Sequence, residues 1–157
     1  MHELPYFNIL CKPHPKRRMI IEQRKLLMAA ATVGHMIVIN ALVSKVKIDV
    51  RDYIMAMELA AENGQQDIVN RMIKLCTLSE DDDLARKLMS YDHAMSSAAK
   101  NGHLTIVNQM LELISDDHIF PTSECKLQIG RMRAYNSAMG SASLGGHPDI
   151  VLSLIHI

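Results

Sequence analysis

Residues 56–69 read AMELAAENGQQDIV, and the phrase returns as AMSSAAKNGHLTIV at 94–107 and AMGSASLGGHPDIV at 138–151. Each copy carries one glycine at the same place, so Gly64, Gly102 and Gly146 serve as reference points. Eleven residues before each stands a tyrosine (Tyr53, Tyr91, Tyr135), and seven before a methionine (Met57, Met95, Met139). Alanines stand eight before (Ala56, Ala94, Ala138) and four before (Ala60, Ala98, Ala142). Four and five after come Ile68-Val69, Ile106-Val107 and Ile150-Val151; eight and nine after come Met72-Ile73, Met110-Leu111 and Leu154-Ile155. The same offsets around Gly34 pick out Leu26, Leu27, Ala30, Ala31, Val38, Ile39, Leu42 and Val43. One phrase written four times marks a row of like units.

The spacings say what each unit is. Before the glycine, small or apolar residues recur at helical intervals and make one face of a short helix. That face is mostly alanine, so another backbone can approach closely. The glycine stands where a helix stops in a left-handed conformation, which costs other residues. A second helix follows, with Pro148 at the favoured first position and Asp67 and Asp149 in the first turn, where the helix dipole favours negative charge. Its apolar pairs form a second stripe. Each helix has one face to bury, and stacking copies side by side joins the stripes into a continuous core. The expected class is all-α.

Composition agrees with that expectation. Apolar residues make up 48% of the 157, aromatics only 4%, and there are 12 methionines and no tryptophan. A core of small and flexible side chains suits close helix contacts. Lys plus Arg and Asp plus Glu balance at 17 each, which speaks against a nucleic-acid partner. The basic cluster at 12–18 reads as a solvated arm, with a nuclear-import or polyanion patch as its alternative. Three unpaired-looking cysteines, Cys11, Cys76 and Cys125, imply a reducing compartment. The opening MHELPYFNIL lacks the pattern of a signal peptide. Residues 26–44 hold no formal charge over a length near that of a bilayer span, yet they carry Gly34, His35 and Asn40 in repeat register, so no membrane partner is expected.

The segments AAENGQQDIVNRMI and AAKNGHLTIVNQML resemble the ankyrin repeat, whose pattern runs Ala-Ala-x-x-Gly-His-x-x-Ile-Val-x-x-Leu-Leu. The resemblance covers roughly 23–44, 53–76, 91–114 and 135–155. It implies an ankyrin-like helical-repeat solenoid of about four helix–turn–helix units, the last incomplete. The chain then divides into an N-terminal arm at 1–22, a divergent first repeat at 23–52, and repeats at 53–90, 91–134 and 135–157. The family's Thr-Pro-Leu-His opening is absent. Its period is about 33 residues, whereas the glycine steps here are 30, 38 and 44. The links CTLSEDDDLARKLMS and SDDHIFPTSECKLQIGRMRA replace its short hairpins, and DDDLARKLM suggests a short extra helix. The Tyr-x-x-Ala-Met flavour is similar to divergent ankyrin arrays of large DNA viruses of protists.

No catalytic, cofactor-binding or metal-binding residue is expected, and therefore no enzyme. His35, His103 and His147 each follow a reference glycine. Neighbouring units would hold them about 10 Å apart, whereas zinc wants ligands within about 2.1 Å; the family pattern explains them as turn residues. Glu80, Asp81, Asp82 and Asp83 lack the glycine punctuation of a calcium loop and read as a solvated linker. What the resemblance implies instead is a protein-interaction module, in which the concave side grips an unidentified protein. Carried over by offset, the candidate partner-binding residues are Arg51, Asp52, Glu62, Asn63, Asp92, Lys100, Asn101, Arg133, Asn136 and Leu144. A viral protein acting on a host factor is the leading expectation. The alternative is the substrate-recruiting or regulatory portion of a larger ubiquitin-ligase adaptor or enzyme. A monomer in the cytoplasm (host cytoplasm if viral) is expected, with the nucleus as the other compartment. The chain stops at VLSLIHI inside a helix, which reads as a fragment of a longer array. The residues LSLIHI at 152–157 are also what CTG TCT CTT ATA CAC ATC encodes, a transposon end used in sequencing libraries, so they are carried as non-native in the alternative reading.

Overall fold

The computed structural model describes residues 15–46, 48–77, 83–120 and 125–156. Eight helices account for nearly all of them: α1 (Pro15–Val33), α2 (Met36–Lys45), α3 (Val50–Glu62), α4 (Gln66–Thr77), α5 (Leu84–Lys100), α6 (Leu104–Ser115), α7 (Cys125–Gly145) and α8 (Pro148–Ile155). Among the described residues there is no strand. The fold is all-α. Cys11, Lys12, Glu80, Asp81 and Asp82 lie outside the described residues.

The helices come in pairs joined by one kind of turn. Gly34, Gly64, Gly102 and Gly146 have φ of 84°, 69°, 81° and 76°, and no other described residue has positive φ. In each turn the amide after the glycine donates to the carbonyl five residues back: His35 to Ala30 at 2.9 Å, Gln65 to Ala60 at 2.8 Å, His103 to Ala98 at 2.9 Å and His147 to Ala142 at 2.9 Å. The amides of Gly64, Gly102 and Gly146 donate to Ala61, Ala99 and Ser143. Two carbonyls left over at a helix end are thereby satisfied by a left-handed glycine, the Schellman arrangement.

First helices of successive pairs lie against one another, α1 on α3, α3 on α5 and α5 on α7, while α4 meets α6 and α6 meets α8. Facing residues of α5 and α7 keep a nearly constant separation along the chain: Gly130 opposite Leu88, Arg133 opposite Asp92, Ser137 opposite Ser96. These neighbours therefore run parallel. Alanines make the seam, and Ala56, Ala60, Ala94, Ala98, Ala138 and Ala142 are all fully buried. Met57, Met95, Ile68, Ile106 and Ile150 fill the space between pairs. Each such side chain contributes about 1.5–3 kcal/mol by leaving water. Leu26 stands at the offset of Ala56 but faces solvent, since no helix of the described residues covers that side of α1.

The links depart from expectation. Residues 84–89 do not form a separate helix; α5 runs unbroken from Leu84, capped by the Asp83 carboxylate on the Arg86 amide at 3.1 Å. Of the stretch read as the link before repeat 4, residues 125–134 are the first half of α7. Both extensions are helical because they find each other: Leu88 and Leu127 are buried there. Likewise α1 starts at Pro15, within the stretch read as an arm. Phe120, in the link after α6, meets the Tyr91 ring edge-on, with centroids 6.0 Å apart. Residues 26–44 divide between α1 and α2 at Gly34, and no helix of the described residues is long and apolar enough to cross a membrane.

Candidate interaction surface

Three sets of contacts tie helix pairs to their neighbours, and the first two repeat in register. In the first, the side chain after a glycine rests on the preceding glycine. A Cβ added to Gly64 would lie 2.7 Å from His103 Cε1; one on Gly102, 2.6 Å from His147 Cε1; one on Gly34, 2.5 Å from Gln65 Oε1. His103 Nε2 stands 3.1 Å from the Glu62 carbonyl, where its N–H tautomer donates to an acceptor at the end of α3. His103 and His147 thus pack as structural parts between successive turns.

The second set is a polar ladder on the second helices. Asn40, Asn70 and Asn108 each stand six residues past a reference glycine. Each accepts from the residue seven past the next: Arg71 Nε at 3.1 Å, Gln109 Nε2 at 2.6 Å and Ser153 Oγ at 3.1 Å. Gln66 Nε2 adds a bond to Gln109 Oε1.

The third set joins first helices by charge. Arg24 Nε lies 2.8 Å from each carboxylate oxygen of Asp52, and the hydrogen bond and charge of Asp52 raise the Arg24 pKa. Arg133 Nε lies 3.8 Å from Asp92, which also accepts from Ser96 Oγ at 3.4 Å. Both carboxylates are buried, Asp52 to 4% exposure and Asp92 to 6%.

The candidate residues fall into distinct places. Asp52 and Asp92 turn toward the neighbouring helix, and Arg133 reaches to Asp92. Arg51 and Asp52 lie in the first turn of α3, and Asp92, Arg133 and Asn136 lie inside α5 and α7. Asn63 and Asn101 are exposed, but their amides donate to Leu59 O at 2.8 Å and Ser97 O at 2.9 Å, closing the ends of α3 and α5. Arg51, Glu62, Lys100, Asn136 and Leu144 point to solvent. Glu62, Lys100 and Leu144 share one offset, two before the glycine, so they line up across three first helices. Met55, His93 and Ser137, nine before it, form a second exposed row on the same helices. That row was missed, although its common offset was readable.

The Cys76 thiol and Tyr91 phenol are pushed up by burial, to about 11 and about 12, which keeps both protonated and poorly nucleophilic near neutrality. No three His, Cys, Asp or Glu among the described residues come together in a way that could hold a metal ion. No protein-family model, no curated protein and no solved structure matches the chain.

Proposed function

We propose that the chain is an ankyrin-like stack of four helix pairs and that it works as a non-enzymatic protein-interaction module. The observation that carries this reading is the repetition of one inter-pair contact: the side chain after each glycine seats on the glycine of the pair before. Contacts that recur in register define neighbours of equal kind, and such rows present extended, preformed surfaces. A surface already rigid loses little freedom on binding, which favours affinity without chemistry. The gripping face in this reading is the side of the first helices carrying Met55, Glu62, His93, Lys100, Ser137 and Leu144. A viral protein acting on a host factor fits the resemblance to divergent viral arrays.

The test is capture of partners from cell extract by the intact chain and by a Glu62→Lys, Lys100→Glu, Leu144→Asp triple variant. The exposed positions make the variant foldable, which far-ultraviolet circular dichroism checks. A partner held by the parent and lost from the variant supports the reading. Identical capture by both would remove this face from consideration.

A further inference from the structure

The first helices α5 and α7 make something the shorter α3 does not. Counted from the reference glycines, α3 begins fourteen residues before Gly64, whereas α5 begins eighteen before Gly102 and α7 twenty-one before Gly146. The added turns of α5 and α7 lie side by side and parallel, and a groove runs between them. Its floor is Leu88 and Leu127, both buried, with Gly130 opposite Leu88. A Cβ on Gly130 would stand 2.5 Å from Leu88 Cδ2, so the glycine keeps the helices close there. The hollow measures about 220 Å³. That is below the roughly 300–1,000 Å³ of small-molecule pockets and fits one or two apolar side chains.

The rim is apolar as well. Met89 is 48% exposed and Ile129 61%, and Met132 beyond them 62%. Methionines on an open surface adapt to the shape of an incoming side chain.

Charge decides what accompanies that side chain. The chain as a whole is neutral. Of the charged residues at this end, Lys126, Arg133 and Asp92 line the groove, a surplus of one positive charge, while Arg86 and Lys87 line the side of α5 that faces α3. Asp83 and Asp117, just outside, engage Arg86 and Arg131. Lys126 and Arg133 remain at the groove itself, and Arg133 meets Asp92 only at 3.8 Å with its side chain 64% exposed. Because α5 and α7 are parallel, the positive ends of both helix dipoles point to this same end.

We propose that the α5–α7 groove is a docking site for an acidic peptide segment of a partner protein, one apolar side chain anchored over Gly130 and flanking carboxylates set against Lys126 and Arg133. The proposal rests on the reading of the chain as an interaction module and adds a place and a chemistry to it. An apolar anchor supplies most of such an affinity, and complementary charge supplies selectivity and rate.

The test offers the full chain an array of short peptides, each with one Leu, Ile, Met or Phe at the centre and random flanks. The expected result is enrichment of Asp and Glu in the flanks. Fluorescence anisotropy on the tightest acidic peptide should then show binding weakened about tenfold or more by Lys126→Glu and by Ile129→Asp. Both positions are exposed, and a glutamate in the first turn of α7 suits the helix dipole, so the variants keep their fold. Methyl resonances of Met89 and Met132 should shift on binding. Flanks without acidic bias, or acidic peptides indifferent to both variants, overturn the proposal. Peptides lost instead on Lys100→Glu or Leu144→Asp overturn the groove and leave the module reading standing. An array with no bound peptide counts against both.

Discussion

Replacing Gly64 by alanine isolates the contact on which the stacking depends. Its φ of 69° costs an L-residue roughly 1–2 kcal/mol. The added methyl would also stand 2.7 Å from the His103 ring, which must swing away and give up its bond to the Glu62 carbonyl. A lost hydrogen bond of that kind is worth about 1 kcal/mol. Gly64→Ala should therefore cost about 2–3 kcal/mol. Gly146 provides the control: its φ is 76°, yet nothing lies within 4 Å of an added Cβ, so Gly146→Ala should cost only the backbone part, about 1–2 kcal/mol. Gly140, inside α7 with open space around it, should gain about 0.5–1 kcal/mol as alanine. Urea unfolding followed by far-ultraviolet circular dichroism measures all three, and a Gly64→Ala, His103→Ala double variant closes the cycle. Equal losses at Gly64 and Gly146, or strict additivity of Gly64→Ala with His103→Ala, would refute the seating of that ring on the preceding turn.

Other outcomes follow from the same contacts. Asn70→Leu and Gln109→Leu should each lower stability by about 0.5–1.5 kcal/mol, with the double variant losing less than the sum, because they share the 2.6 Å bond; additive losses in a urea double-mutant cycle would count against the ladder. Burial raises Cys76 from its ordinary 9.0 to about 11 and Tyr91 from 10.0 to about 12, so the folded chain keeps protons that the unfolded chain sheds. Stability should hold below about pH 9 and fall by a few kcal/mol up to about pH 12, at about 1.4 kcal/mol per unit; Tyr91→Phe should flatten the fall above about pH 10, and an unchanged urea midpoint would contradict this. A thiol reagent applied to the native chain should modify exposed Cys125 and spare buried Cys76, as peptide mapping by mass spectrometry would show; equal labelling would place Cys76 at the surface.

The helix pairs, their turns and the alanine seam were readable from the residues because each rests on local rules. A left-handed turn demands glycine wherever it occurs, and a buried stripe must recur at helical intervals, so Gly64 and Ala60 announce their roles without a partner in view. The extended starts of α5 and α7 were not read this way. Leu84, Leu88, Tyr91 and Met95 do follow helical spacing, but Asp83 and the loop-like residues before it drew attention to a link. In α7 the exposed Ile129 and Met132 blur the stripe that Leu127, Ala134, Ala138 and Ala142 form. Those turns are settled by packing, since Leu88 needs Leu127 and the absent side chain of Gly130 to be covered at all. Charge partners lie further out of reach of the chain's own order. Asp52 and Asp92 looked like surface acids, and nothing local says that Arg24 and Arg133, 28 and 41 residues away, will face them. Backbone conformation and apolar rhythm are written within one turn of helix, whereas which side chains meet across two helices depends on how those helices are laid together.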